Sequence, residues 1–263
     1  MTEAHPRTIV ITGAGTGIGA ACARRFAGQG DRVALIGRRQ APLDALAAET
    51  GGVALAGDAA STADWIRFVP LIAERFGRID ALVACAGGHG VGRADETDDA
   101  QWRGALHANL DTAFVSARAC LPDLIAQRGS IVLVASIAAL AAGPGVCGYT
   151  VGKHALLGLT RSLARDFGPH GVRANAVCPG WVRTPMADAE MAPLMARHGE
   201  SLDAAYARVS ADVPLRRAAE PDEIAAVCAF LVSPDASFVT GATLVADGGA
   251  MAVDVPTLAF AGL

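Results

Sequence analysis

Eight residues near the start of the chain, Thr12-Gly13-Ala14-Gly15-Thr16-Gly17-Ile18-Gly19, restrict the fold more than any other stretch. They follow the β-branched apolar run Thr8–Thr12 and open a helix-forming segment, Gly17–Gln29. A strand that turns through glycine into a helix aims backbone N–H groups and the positive helix end at one point, which suits a pyrophosphate. Glycine is needed where a Cβ would hold phosphates away or where the chain turns tightly. The spacing is T-G-x-x-x-G-x-G; the G-x-G-x-x-G form does not fit, because the sixth place from Gly13 is Ile18. A strand before the turn and a helix after it identify a nucleotide cradle.

The remaining sequence repeats this unit. Strand candidates are Thr8–Thr12, Arg32–Ile36, Val53–Ala56, Ala81–Cys85, Ser130–Ala135, Arg173–Cys178 and Ala242–Ala246. They are almost continuously apolar, as strands covered on both faces are. Helix candidates between them are Gly17–Gln29, Pro42–Thr50, Thr62–Phe76, Asp98–Leu124, Cys147–Phe167 and Pro221–Leu231. The alternation predicts an α/β fold: a Rossmann-type, doubly wound parallel sheet of about seven strands with helices on both faces. No linker or repeat divides the chain, so residues 1–263 are expected to form one dinucleotide-binding and catalytic domain. The segment 184–219 resists assignment, and a long excursion in a compact α/β chain is expected to be a substrate lid. An apolar tail, 253–263, follows the last strand.

Composition removes several function classes. The net charge is −4, from 22 basic and 26 acidic residues, and no basic block provides a nucleic-acid footprint. The longest apolar stretch, Ile131 to Val146, is shorter than a membrane span and is interrupted by Ser136, Gly143 and Pro144. The amino terminus lacks the apolar core of a signal peptide. Six scattered cysteines show no C-x-x-C spacing, and the histidines show no metal-ligand spacing. A cytoplasmic protein without a metal is expected.

Cofactor choice is read about twenty residues beyond the glycine turn, at the end of the second strand. An acidic residue there would bind a free ribose 2′-hydroxyl. This chain has Gly37-Arg38-Arg39, which leaves room for a 2′-phosphate and offers two guanidinium groups to bind it. NADP(H) is favoured, with NAD(H) as the alternative. Thr16 stands at a turn position where a second basic residue would have strengthened the NADP(H) reading.

Tyr149 and Lys153 lie four residues apart on a helix candidate and so share one face. A carbonyl that accepts hydride must also gain a proton, and a phenol of pKa about 10 is a poor acid–base group near neutrality unless a nearby ammonium lowers it. Ser136, thirteen residues upstream at the C-terminal end of a strand, can donate to the substrate oxygen. Y-x-x-x-K alone is common on helix surfaces; that serine gives it weight, because ligands bind at strand C-termini in such sheets.

Together TGAGTGIG, Asn109 in HANLDTAF, Ser136, Tyr149-x-x-x-Lys153 and Pro179-Gly180 resemble the motif set of the short-chain dehydrogenases/reductases, from Arg7 to about Gly249. The resemblance implies Tyr149 as general acid/base, Ser136 orienting the substrate oxygen, Lys153 tuning Tyr149 and holding the nicotinamide ribose, and Asn109 supporting a water-linked proton relay. It also implies cofactor contacts from Gly13, Thr16, Gly17, Ile18 and Gly19 at the pyrophosphate and Asp58 and Ala59 at the adenine. Further contacts are implied from Cys85, Ala86 and Gly87 along the adenosine ribose, and from Pro179, Gly180, Val182 and Thr184 at the nicotinamide end. A homotetramer or homodimer is expected on the same ground. One departure stands out: the family's N-N-A-G after strand four is here Ala84-Cys85-Ala86-Gly87, so two asparagine side chains are lost.

The substrate is expected to be a fairly apolar small molecule with a carbonyl or secondary alcohol, met by the small residues after Ser136, by Trp181 and by the methionines of 184–219. Arg183, Arg197 and His198 are expected at solvated positions, with an acidic substrate group as the alternative. The tail is expected to pack at a subunit interface. A 3-oxoacyl-thioester (acyl-carrier-protein) reductase would use the same chemistry but needs basic surface at the site mouth, for which Arg128 is the candidate. A non-catalytic nucleotide-binding member should have lost Ser136, Tyr149 or Lys153, and all three are present.

Overall fold

In the computed structural model, which describes residues 6–260, seven parallel strands pair in the order β3-β2-β1-β4-β5-β6-β7. They are β1 (Thr8–Thr12), β2 (Arg32–Gly37), β3 (Val53–Ala56), β4 (Ala81–Ala84), β5 (Ser130–Val134), β6 (Arg173–Pro179) and β7 (Thr243–Ala246). The doubly wound arrangement is the one expected, and each strand begins and ends within one residue of its sequence assignment.

Alternation along the strands builds two cores. Ile9 and Ile11 of β1 face one way, with α1 (Gly17–Gly28), α2 (Gln40–Thr50) and α9 (Pro221–Val232) packed over them. Val10 faces the other way, under α3 (Thr62–Phe76), α5 (Thr112–Gln127) and α6 (Cys147–Phe167). With both faces covered, β1, β4 and β5 are buried at every position, which explains their unbroken apolar sequence.

One expectation needs correction, and one unassigned segment gains a structure. The expected helix Asp98–Leu124 divides into α4 (Asp99–Leu106), a π-helical turn over His107–Asp111, and α5. Segment 184–219 contains two helices, α7 (Pro185–His198) and α8 (Leu202–Val209). Thr184 and Ser201 cap their amino ends through side-chain oxygens. Met191 and Tyr206 are fully buried between them, so the segment has a small core of its own.

Strand order reverses between β1 and β4, and ligands in sheets of this type bind beyond the strand C-termini at such a reversal. Here the two chains nearly touch: a Cβ on Gly13 would lie 2.9 Å from the Ala86 nitrogen. The Ala86 N–H also donates to the Thr12 hydroxyl at 3.1 Å. Among the described residues no helix is long and apolar enough to cross a membrane, and no group of three or more His, Cys, Asp or Glu side chains is placed to hold a metal ion. The described part of the tail, to Phe260, forms short 3₁₀ turns with Val255 and Phe260 exposed. Residues 261–263 of the expected tail, and residues 1–5 of the amino terminus, lie outside the described residues.

Candidate active site

A cleft of ≈ 750 Å³ runs across the C-terminal ends of β1, β2, β4 and β5. This is within the range that holds cofactors and drug-sized ligands, roughly 300–1,000 Å³. Of the residues singled out in the sequence, the cleft brings together Gly13, Thr16, Gly17, Ile18, Gly19, Arg38, Arg39, Asp58, Ala59, Cys85, Ala86, Gly87, Asn109, Tyr149, Lys153 and Thr184. Ser136, Pro179, Gly180 and Val182 are not among its walls. Val182 is buried and bridges to Ala219, and Gly180 packs against Asp247.

At the centre is the glycine turn. Gly13 has φ +65° and Gly17 φ +54°, values an L side chain rarely adopts. Thr16 caps α1 in extended backbone but makes no side-chain capping bond, and no acidic residue occupies the first turn. The first-turn amides are therefore left for an anion from outside the chain. The dinucleotide phosphates implied by the sequence fit this cradle.

Arg38 and Arg39 stand exposed at one end of the cleft. Asp58 lies beside them and hydrogen bonds to the Ala60 N–H and to His107 Nε2, both at 2.9 Å. Burial works against its ionisation, but those two bonds and the charges of His107 and Arg38 hold its pKa below the usual carboxylate range. Gly15 of the glycine turn and Met186, one of the methionines expected at the pocket, also form part of the wall, as do His107, Pro42 and Gly88, which sequence reasoning missed. His107 was detectable only as the residue two before Asn109 in the π-helical turn.

Tyr149 and Lys153 close the other end, on consecutive turns of α6. Lys153 is only 5% exposed, and its ammonium donates to the Val134 carbonyl at 3.1 Å. Burial lowers its pKa to about 8. Its Nζ is 5.6 Å from the centre of the Tyr149 ring. For Tyr149 the sequence expectation of a lowered phenol pKa is corrected. Burial raises it; hydrogen bonding with Ser136 works the other way, and the Glu190 charge adds to the rise. The ammonium is engaged by a main-chain carbonyl, and burial of the phenol prevails.

Asn109 sits opposite, buried in the π-helical turn. Its amide donates to the Ala105 carbonyl at 3.0 Å, and its side-chain oxygen accepts from the Gly88 N–H at 3.2 Å. Gly87 lies between: a Cβ there would be 3.4 Å from the Asn109 oxygen and 3.5 Å from Lys153 Nζ. Gly87 thus adjoins both Asn109 and Lys153. The Thr12 hydroxyl bonds directly to Ala86, so this junction holds together without the two absent asparagines.

Two other sequence candidates lie away from the chemistry. Arg183 bonds to Asp203 at 2.8 Å and stacks 4.5 Å over Tyr206, so its guanidinium is engaged within the chain. Arg128 precedes β5, at the opposite end of the sheet from the cleft, and cannot flank its mouth.

Comparison with known proteins agrees with this geometry. The family described as enoyl-(acyl carrier protein) reductase matches residues 13–251. The chain is 56% identical to protein MoaE of Klebsiella aerogenes over 97% of its own length and 99% of that protein's. It superposes on an oxidoreductase of the short chain dehydrogenase/reductase family from Burkholderia thailandensis with TM-score 0.86 and 36% identity, covering 97% of this chain and 96% of that one. It superposes on a single-substitution variant of an actinorhodin polyketide ketoreductase with NADPH, with TM-score 0.88 and 31% identity, covering 93% and 97%.

Proposed function

The chain belongs to the short-chain dehydrogenase/reductase family and is a nicotinamide-dependent oxidoreductase of carbonyl and alcohol groups; from that premise we propose that Tyr149 transfers the proton to or from the substrate oxygen, with NADP(H) as cofactor. The supporting observation is the enclosure of Lys153 and Tyr149 on one face of α6, at the end of the cleft opposite Arg38 and Arg39. When bound, the nicotinamide supplies or accepts the hydride. Tyr149 holds the proton at its phenolic oxygen. Ser136, whose hydroxyl acts on that phenol, orients the substrate oxygen and stabilises charge as it develops there. Lys153, held by the Val134 carbonyl, would present its remaining N–H bonds to the ribose. Asn109, with a buried amide on a rigid π-helical turn, holds the water through which the proton is replaced.

The cofactor contacts at Pro179, Gly180 and Val182 belong to the same reading. They would be main-chain contacts at the nicotinamide end, where Thr184, which does line the cleft, begins α7. Helices α7 and α8 act as the substrate lid over residues 184–219. Leu140 and Met186 expose apolar surface near the site, which suits a fairly apolar small molecule. A cytoplasmic setting is in keeping with six unpaired cysteines. Phe238, Val255 and Phe260, all exposed in the single chain, favour assembly into a homotetramer or homodimer.

The test is equilibrium titration with NADPH and NADH, on the native protein and on a variant carrying Arg38→Ala and Arg39→Ala. Loss of two charge-assisted contacts should weaken NADPH about 100-fold and NADH only a few-fold. Equal weakening of both cofactors contradicts the NADP(H) assignment.

A further inference from the structure

A carboxylate and an imidazole, Glu190 and His89, stand beside Tyr149 without a part in the reaction so far. Glu190 lies four residues after Met186 on α7 and so shares its face, and Met186 forms part of the cleft wall. Its Oε1 is 3.1 Å from Nδ1 of His89, which comes from the loop after β4. That loop is fastened along the amino end of α6. The Tyr149 N–H donates to the Gly90 carbonyl at 3.2 Å, the Gly92 N–H to Gly145 at 2.7 Å, and the Cys147 N–H to Gly92 at 3.1 Å. His89 is thereby fixed next to the start of the catalytic helix, and Glu190 is close enough for its charge to act on the phenol.

The pair does not line the nucleotide cleft. Glu190 is on α7, the helix read above as the first part of the substrate lid, and on that reading it meets the rest of a substrate whose oxygen is at the phenol. Both side chains remain about half exposed, and an exposed contact of this kind contributes little to stability. Nearby charges are already engaged: Asp188 accepts from the Tyr206 hydroxyl at 2.8 Å, and Arg183 is held by Asp203. The cations of α7, Arg197 and His198, are in its last turn, two turns beyond Glu190. A carboxylate oriented by an imidazole therefore acts on Tyr149 from α7, with no Lys or Arg bound to it among the described residues.

We propose that Glu190, positioned by His89, selects substrates that carry a protonated amine close to the reacting carbon: amino ketones, or the corresponding amino alcohols. The inference rests on the assignment of Tyr149 to the reacting centre. An ammonium group would donate to the carboxylate, a charge-assisted bond, while the carboxylate of a 2-oxo or 2-hydroxy acid would be repelled.

Three secondary alcohols of similar size separate the cases: 1-aminopropan-2-ol, butan-2-ol and lactate. Their binding to the NADP⁺-loaded protein is measured by calorimetry, and their oxidation by nicotinamide absorbance. The amino alcohol should bind about tenfold tighter than butan-2-ol, with lactate weakest, and Glu190→Gln should reduce that advantage about tenfold. The same variant should move ionisation of Tyr149, followed by phenolate absorbance, to lower pH, because it removes a negative charge from beside the phenol. Absence of amino-alcohol binding, binding no tighter than butan-2-ol, a ratio unchanged in the variant, or an unmoved tyrosine titration would each overturn the inference. Binding decides the selectivity whether or not turnover follows. An amino alcohol that binds with the expected ranking but is never oxidised would support the selectivity and count against the catalytic assignment of Tyr149.

Discussion

Replacing Lys153 with methionine should abolish turnover and change how stability depends on pH. The side chain is almost fully enclosed, and its pKa in the fold is about 8 against 10.5 in the unfolded chain. Below pH 8 the lysine is charged in both states, and the fold bears the burial penalty of the ammonium, about 3 kcal/mol at ~1.36 kcal/mol per pKa unit. Between pH 8 and 10.5 the unfolded chain binds a proton that the fold has released, so the lysine's contribution to stability rises with pH. Methionine keeps the apolar stem and removes the charge, but leaves the Val134 carbonyl without its donor, at a cost of roughly 1–3 kcal/mol. At pH 7 the variant should therefore match the native protein or exceed it by up to about 2 kcal/mol. The difference should then shift by about 2 kcal/mol in favour of the native protein between pH 7 and pH 9.5. Cys120 and Tyr206, whose raised pKa values do not depend on Lys153, pull the stability of both proteins down as pH rises, and taking the difference cancels them. Urea unfolding of both cofactor-free proteins at the two pH values supplies the numbers. A difference independent of pH would refute the argument that Lys153 is held in the fold as a destabilised ammonium.

Gly19→Ala should bring a Cβ against main-chain atoms of Gly13, whose carbonyl carbon would lie 2.8 Å away. The turn must open, which costs about 1–3 kcal/mol of stability and should weaken NADPH by about tenfold or more, read by thermal unfolding and cofactor titration. Native-like NADPH affinity in that variant would mean that the turn does not cradle the phosphates. Deleting the residues after Val253 removes the exposed Val255 and Phe260 and should lower the oligomeric state seen by analytical ultracentrifugation. An unchanged assembly with unchanged kinetics would show that the tail has no part in the interface.

The sheet was legible because both its faces are buried. Seven apolar runs separated by helical periods admit few arrangements, and the glycine turn marks the first strand–helix unit. The division of the helix at 98–124 was not legible. A π-helical turn keeps roughly helical periodicity, so Asn109 was found by motif while the backbone that aims it stayed hidden. Segment 184–219 resisted assignment because its helices bury few residues, chiefly Met191 and Tyr206, and the first contains Pro193, a residue that ordinarily signals a helix end. Its caps, Thr184 before Pro185 and Ser201, were the usable signals. The Tyr149–Lys153 pair was visible in spacing, but spacing cannot report burial or a carbonyl that captures the ammonium, so the direction of the Tyr149 pKa was misjudged. Glu190 was invisible for another reason: its proximity to Tyr149 comes from a fold contact with His89, 101 residues away in sequence.

Proton transfer through Tyr149 is tested most directly by Tyr149→Phe, which removes one oxygen and leaves the rest of the cleft wall in place. Single-turnover oxidation of bound NADPH by a ketone substrate, followed at the nicotinamide absorbance, should slow by about 10²–10⁴-fold. The NADPH dissociation constant should change by less than about threefold, because little binding depends on the phenol. Oxidation at the native rate in the phenylalanine variant would contradict the assignment of the proton to Tyr149.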